Sequence, residues 1–390
     1  MVTHLFKLIW NKKRTHTLLL VEIWASFMVL FGLMVLLIYN LGNYTEPLGF
    51  SYDNVWAVNL GNNEDTTGIS SKVNRVLQRV KAYPEVESAS RMSDNFPFSG
   101  YFNGMGVSYN NVTTQVERYV VDDQFAKTLA IPVAAGTWFR NADSIGTYQP
   151  LIINRKARER MFGSENPVGK VVSDYEGKKG IWRVIGVVDT FKGRGEFASD
   201  KPVMIELLRN SSVYDKTLII RVKPGTNAQF EARLVHDVVA LTNGWSVDVR
   251  YLTDSRASLH QQVVVPIVIL SIVCGFLLIN VALGLFGVLN LSITRRRSEI
   301  GLRRAIGATG SGVSTQFVGE TWVLATFAIL IGLLLAVQFP LLNVFDLQAG
   351  VYLTAMGVSV CIIYLIVTLC ALFPSRQAAL IQPAIALHEE

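Results

Sequence analysis

The sequence predicts a membrane protein of four transmembrane α-helices plus a large mixed α+β extracytoplasmic domain of two subdomains. Three observations predict this. Four apolar runs, residues 18–41, 263–293, 318–338 and 351–373, are long enough to cross a bilayer, whose hydrocarbon core of ~30 Å takes about 20 helical residues. Between the first two lies a polar block, 42–262, with the composition of a soluble domain. The third observation is where the charge falls. Of 36 Lys and Arg, 26 lie in that block beside 24 Asp and Glu; the other ten are Lys7, Lys12, Lys13, Arg14, Arg295, Arg296, Arg297, Arg303, Arg304 and Arg376. By the positive-inside rule both termini and the segment after the second run are cytoplasmic, and 42–262 lies outside. The net charge of +6 therefore reports topology and implies no nucleic-acid partner.

Residues 1–17 form a cytoplasmic interfacial segment, because HLFKLIW at 4–10 mixes apolar residues with Lys7 and suits a short helix in the headgroup plane. The first run is expected to be a retained helix. It is longer than the ~7–15 residues of a signal-peptide core and leaves as IYNLGNY, without a small-residue cleavage pattern.

In the external block, VWAVNL at 55–60 alternates like a strand, 69–83 has helical spacing, and VESASRM at 86–92 is again strand-like. The order recurs near the end: LIIRVKPG at 218–225 is a strand with a Pro-Gly turn, 227–241 a helix and WSVDVRYL at 245–252 a strand. Two β-α-β units at opposite ends predict one subdomain built from both, with 104–182 inserted as the other. The insertion holds LIINRKARERMFG at 151–163, a strand and a helix stopped by Gly163 and Pro167.

The second run with its stalk, 263–293, spans about 46 Å as a helix at ~1.5 Å per residue. RASLHQQ at 256–262 contains no strong breaker, and Pro266 is expected in an early turn or at a kink. A cytoplasmic segment at 294–317, the runs at 318–338 and 351–373, and a tail at 374–390 complete the chain.

Catalytic and metal chemistry find little support. GSENPVGKV at 163–171 has one residue too many between its glycines for a phosphate-binding loop, and Val171 where Ser or Thr is needed. Asp122-Asp123 is an adjacent pair without further acids and reads as a solvated turn. Three cysteines, Cys274, Cys361 and Cys370, lie in membrane runs, so the external fold relies on its core. Five scattered histidines have no metal-ligand spacing. Two acids, Glu22 and Glu320, border membrane runs. Such residues are functional candidates by default, although both sit near a predicted cytoplasmic edge where water is within reach.

TRRRSEIGLRRAIGATG at 294–310 carries more information. A topological anchor needs only loosely placed basic residues. Here Ser298, Glu299, Ile300, Gly301 and Leu302 separate two arginine groups, Arg295–Arg297 and Arg303–Arg304, while Ala305, Ile306 and Ala308 keep the next turn apolar. Gly301 costs about 1 kcal/mol of helix stability against Ala, which points to a close approach to the backbone. Gly307 and Gly310 supply a stop and a turn into the third run. The residues describe a short amphipathic interfacial helix; anchor, lipid patch and protein-docking surface all fit it.

This segment resembles the coupling segment of the MacB/FtsX-like ABC transporter permeases, R-x-x-E-I-G-[LI]-R-[RK]-A-[LI]-G-A, through Arg296, Glu299, Ile300, Gly301, Leu302, Arg303, Arg304, Ala305, Ile306, Gly307 and Ala308, with Arg297 beside them. LIINRKARERMFGSENPVGKVV and the tail LFPSRQAALIQPAIALHEE resemble further segments of that family, and Glu320 matches an acid early in its third helix. The resemblance implies a non-catalytic permease subunit of the bacterial inner membrane that binds no cofactor itself. It also implies a cytoplasmic ABC ATPase dimer using ATP and Mg, and a second permease copy or paralogue, since ABC ATPases act in pairs. A periplasmic adaptor and an outer-membrane channel accompany many members. The 390 residues contain no Walker sequence, unlike MacB itself. A sensor-type receptor would carry an output module, for which few residues remain after Phe373, and a membrane-anchored enzyme would need a catalytic set outside.

Overall fold

The computed structural model describes residues 13–140, 143, 147–174, 182–209 and 215–379. The interfacial helix expected at 4–10 and the end of the tail fall outside the described residues. Among the described residues, four helices are long and apolar enough to cross a membrane, and a large α/β domain lies between the first two in sequence. The chain divides into two compact units, one being Gly42–Val263 and the other the residues flanking it on both sides.

The elements run α1 (Lys13–Thr45), β1 (Val55–Gly61), α2 (Ile69–Lys81), β2 (Val86–Met92), β3 (Gly104–Tyr109), β4 (Val112–Val121), α3 (Phe125–Leu129), β5 (Val133–Gly136), β6 (Gln149–Asn154), α4 (Arg155–Phe162), β7 (Val171–Asp174), β8 (Trp182–Val188) and β9 (Val203–Leu207). They continue as β10 (Thr217–Val222), α5 (Ala228–Thr242), β11 (Ser246–Tyr251), α6 (Leu252–Arg295), α7 (Arg297–Ala305), α8 (Gly310–Ala336), α9 (Gln338–Leu341) and α10 (Ala349–Ala379).

In the domain, strand order β11-β1-β10-β2 joins elements from both ends of the block into one antiparallel sheet. Helices α2 and α5 cover one face because their apolar residues recur every three or four positions. Val73, Val76, Leu77 and Val80 of α2 meet Phe230, Leu234 and Val238 of α5 over Trp56, Val58, Leu218 and Ile220. Asn227 starts α5 by accepting the N–H groups of Gln229 and Phe230, and Asn243 ends it at φ +59°.

The sheet continues from β2 to β4 through Met92 and Val121. From there the circuit β4-β3-β7-β8-β6-β9 returns to β4, since β9 pairs parallel to β4 as well as antiparallel to β6. This half extends past the 104–182 expected from the sequence. The reason is that β8, which begins at residue 182, and β9 complete its strand pairing. Alternation along β6 sends Leu151 and Ile153 into one buried cluster and Ile152 into another, which explains its unbroken apolar run.

In the membrane unit, Trp322 Nε1 of α8 donates to Thr368 Oγ1 of α10 at 2.9 Å, and the Thr326 and Tyr364 hydroxyls lie 2.8 Å apart. Hydrogen bonds of this kind hold helices together where apolar surface gives no preference for neighbour over lipid. Gly332 of α8 accommodates Phe27 of α1: a Cβ there would sit 2.4 Å from the ring. Helix α6 is continuous for 44 residues and begins at Leu252 rather than near 263, so Pro266 lies in its interior and not in an early turn. Leu252 and Leu259 explain the early start, since both pack into an apolar cluster of the external domain. Gly310 likewise opens α8 instead of making a turn, because the Thr309 hydroxyl caps that helix by accepting from Gly312 N–H at 3.2 Å.

Candidate functional site

Helix α7 is nine residues long and chemically biased at both ends. Glu299 lies in its first turn and Arg303 and Arg304 in its last, each the sign that the helix dipole favours. Arg296, at φ −108° and ψ 17°, breaks it from α6. Gly307 at φ +103° makes the exit, a conformation costly for any residue with a Cβ.

One face of α7 turns into its own unit. Ile300 packs with Leu289, Ile293, Val313, Phe317, Ala371 and Ala378, and Gly301 is buried beside it. Gly301 is therefore enclosed by this chain and is not part of an exposed surface. A relay of polar side chains fastens the helix to α8. Arg303 pairs with Glu299 and donates to Gln316 Oε1 at 2.8 Å; Gln316 Nε2 donates to Glu320 at 3.3 Å; Arg296 Nη1 lies 3.2 Å from both Glu320 oxygens. Gln316 was not singled out by sequence reasoning. Its spacing of four from Glu320, on one helix face, was the available signal.

The opposite face is open. Leu302 is 51% exposed and Ile306 78%, and a spacing of four puts them side by side. Ser298, Ala305 and Ala308 are exposed around them, and the Glu299–Arg303 pair borders this face on the side of α8. Two apolar anchors amid arginines suit an apolar groove with an acidic rim, the helix-in-groove mode of recognition.

The two membrane-run acids differ. Glu320 is held in the relay. Glu22 has one enclosed oxygen, Oε2, which no donor among the described residues reaches. That oxygen lies 2.8 Å from where a Cβ would project at Gly284 of α6, so the carboxyl rests against a neighbouring helix and is less open to water than its sequence position suggests.

The remaining sequence candidates have structural partners. Lys170 of GSENPVGKV pairs with Glu165 in the same loop, and Gly169 N–H donates to Val184 O at 2.8 Å. Asp122 accepts from Arg91 N–H at 2.9 Å, from Gln124 N–H at 3.0 Å and from the Ser90 hydroxyl. Burial raises its carboxyl above the usual range. It organises a turn under β2 and is not a solvated acid.

Comparison with known proteins places these features in context. The MacB-like periplasmic core domain matches residues 28–236, and the FtsX-like permease C-terminal region matches 267–383. The macrolide export ATP-binding/permease protein MacB of Hahella chejuensis is 27% identical over 84% of this chain and 50% of its own length. That of Pectobacterium atrosepticum is 26% identical over 72% and 44%. The chain thus spans about half the length of these relatives. Among solved structures, the periplasmic region of MacB from Actinobacillus actinomycetemcomitans aligns at TM-score 0.41 and 14% identity, over 56% of this chain and 97% of that one. The extracellular domain of the ABC-type transporter YknZ from Gram-positive bacteria aligns at 0.37 and 15%, over 50% and 100%.

Proposed function

This chain belongs to the MacB/FtsX-like ABC transporter permease family, and from that membership we propose that it is a mechanotransmission subunit driven by a separate ABC ATPase. In this reading the termini and α7 are cytoplasmic, and ATP and Mg are used by the partner. The observation that carries the reading is the open face of α7, where Leu302 and Ile306 stand exposed among arginines while Ile300 and the Glu320 relay hold the helix in place. A docking element for a moving partner needs both properties: a surface to be gripped, and an anchorage that passes the movement on.

Closure of the ATPase dimer around ATP would displace α7, and the continuous helix α6 would carry that displacement toward the extracytoplasmic domain. ABC ATPases act in pairs, so two α7 segments are required and a second copy or a paralogue completes the complex. The apolar surface of α6 is available for this, since it is far less buried within the chain than that of the other three spans. The work performed is export of peptide, antibiotic or lipid-linked cargo from the periplasmic side, with a periplasmic adaptor and an outer-membrane channel as further partners. The relatives' own name, macrolide export, belongs to this cargo range.

Co-purification tests the reading. A stand-alone ABC ATPase from the same genome, co-expressed with this chain, is expected to be retained by the wild type and lost on combining Leu302→Asp with Ile306→Asp. Equal recovery by the membrane-inserted variant would sink the proposal.

A further inference from the structure

The loop joining β8 to β9, residues 189–202, carries Lys192, Arg194, Glu196, Asp200 and Lys201, yet Lys192 is 3% exposed and Glu196 7%. Buried charges persist only where opposite charge and hydrogen bonds replace water. Their partners lie on two helix ends. Lys192 Nζ donates to Asn43 O at 2.6 Å and to Glu196 O at 2.8 Å, and its backbone N–H donates to Leu48 O at 2.9 Å. Asn43 Nδ2 returns a bond to Phe197 O at 2.9 Å. Gly49, at φ +83°, presses so closely on the loop that a Cβ would fall 1.9 Å from Thr190 O. The last turn of α1 and the chain after it are thus bound along one side of the loop.

The first turns of α6 are bound along the other. Glu196 accepts from Arg256 Nε and lies 2.8 Å from His260 Nε2. Arg256 and His260 are four apart and share a helix face. The rings of Tyr44 and Phe197 flank His260 at 6.4 and 4.9 Å, which joins the two sides directly. The loop in turn is fastened to the second half of the domain. Arg194 Nε meets Glu117 of β4 at 2.6 Å and its guanidinium lies 3.7 Å from the centre of the Phe102 ring, while Gly193 O accepts Phe98 N–H at 2.7 Å.

We propose that this loop is a clamp locking the end of α1, the start of α6 and strand β4 into one rigid body, with Lys192 and Glu196 as its positioning residues. The inference rests on the mechanotransmission reading and adds to it the place where movement enters the domain. Charge-assisted bonds in a buried setting are the strong ones, so the two helix ends move together. Without the clamp, a displacement of the start of α6 would not be shared with the end of α1 and strand β4.

The test uses the full chain in lipid nanodiscs, with Cys274, Cys361 and Cys370 replaced by alanine and spin labels at Gly42→Cys and Ala257→Cys. Both label sites are exposed, and nothing lies within 4 Å of a Cβ at Gly42. The parent is expected to give one narrow distance, unchanged when the ATPase and ATP are added. Glu196→Gln, Lys192→Met and Arg256→Gln are each expected to broaden it; Arg256→Gln breaks the contact from the helix side should the loop variants fail to fold. A distance as narrow in the folded variants as in the parent overturns the clamp, even where the unfolding temperature has dropped, because that pattern is general stabilisation. The comparison of variants with parent needs no ATPase, so it still tests the clamp if ATPase docking fails.

Discussion

Arg296 Nη1 lies 3.2 Å from both carboxylate oxygens of Glu320, joining the residue that precedes α7 to the first half of α8 across 24 positions of sequence. Their side chains are 17% and 21% exposed, so solvent screens the pair only in part. Removing one partner leaves the other charge under-solvated.

Arg296→Met and Glu320→Gln should each lower stability by about 1.5–3 kcal/mol, and the double variant by less than the sum, since both remove the same contact. Thermal unfolding in detergent measures this; strict additivity would show that the pair is not coupled.

Gly332→Ala tests how tightly α8 meets α1. A Cβ there would fall 2.4 Å from Phe27, whose ring is wholly buried. Helix separation or a displaced ring should cost about 1–3 kcal/mol, seen as a lower unfolding temperature. Gly319→Ala, where the added Cβ meets nothing within 4 Å, serves as the neutral control.

These relationships show what was legible in the sequence. Four spans, the interleaved β-α-β elements and the arginine segment could all be read, because periodicity and charge placement are local properties. The partners of the segment could not. Glu320 was visible as an acid near a membrane edge, but its pairing with Arg296 depends on how α7 folds back against α8. Gly301 read as a point of close approach to the backbone, and it is buried beside Ile300, which belongs to a core made by α6, α7, α8 and α10. The loop at 189–202 reads as an ordinary charged connection; its burial arises only when residues near 43 and 260 converge on it. Likewise β8 and β9 complete the second half of the domain through pairings with β4 and β6 that no local pattern announces.

Asp200 in that loop makes stability depend on pH. Burial pushes its carboxyl up to about 6, with Glu46 adding to the rise and Lys156, Arg155 and Lys192 opposing it; its Oδ2 meets no donor among the described residues. A carboxyl raised above its unfolded value of 3.8 binds its proton more tightly in the folded state. Stability therefore falls as pH rises from the unfolded value through about 6, and the deficit then stays constant. Asp200→Asn should unfold at a higher temperature than the parent above that range and at the same temperature below it. The opposite ordering would mean that the ionised form is the better satisfied one.

The grip of a partner ATPase on the open face of α7 is tested most directly by photo-crosslinking. A crosslinking residue at Ile306, 78% exposed, is compared with the same residue at Ile300, 4% exposed, each in membranes containing the co-expressed ATPase. An adduct with the ATPase is expected from position 306 and none from 300. Adducts from 306 with lipid alone, or equal yields from both positions, would contradict a docking role for this face.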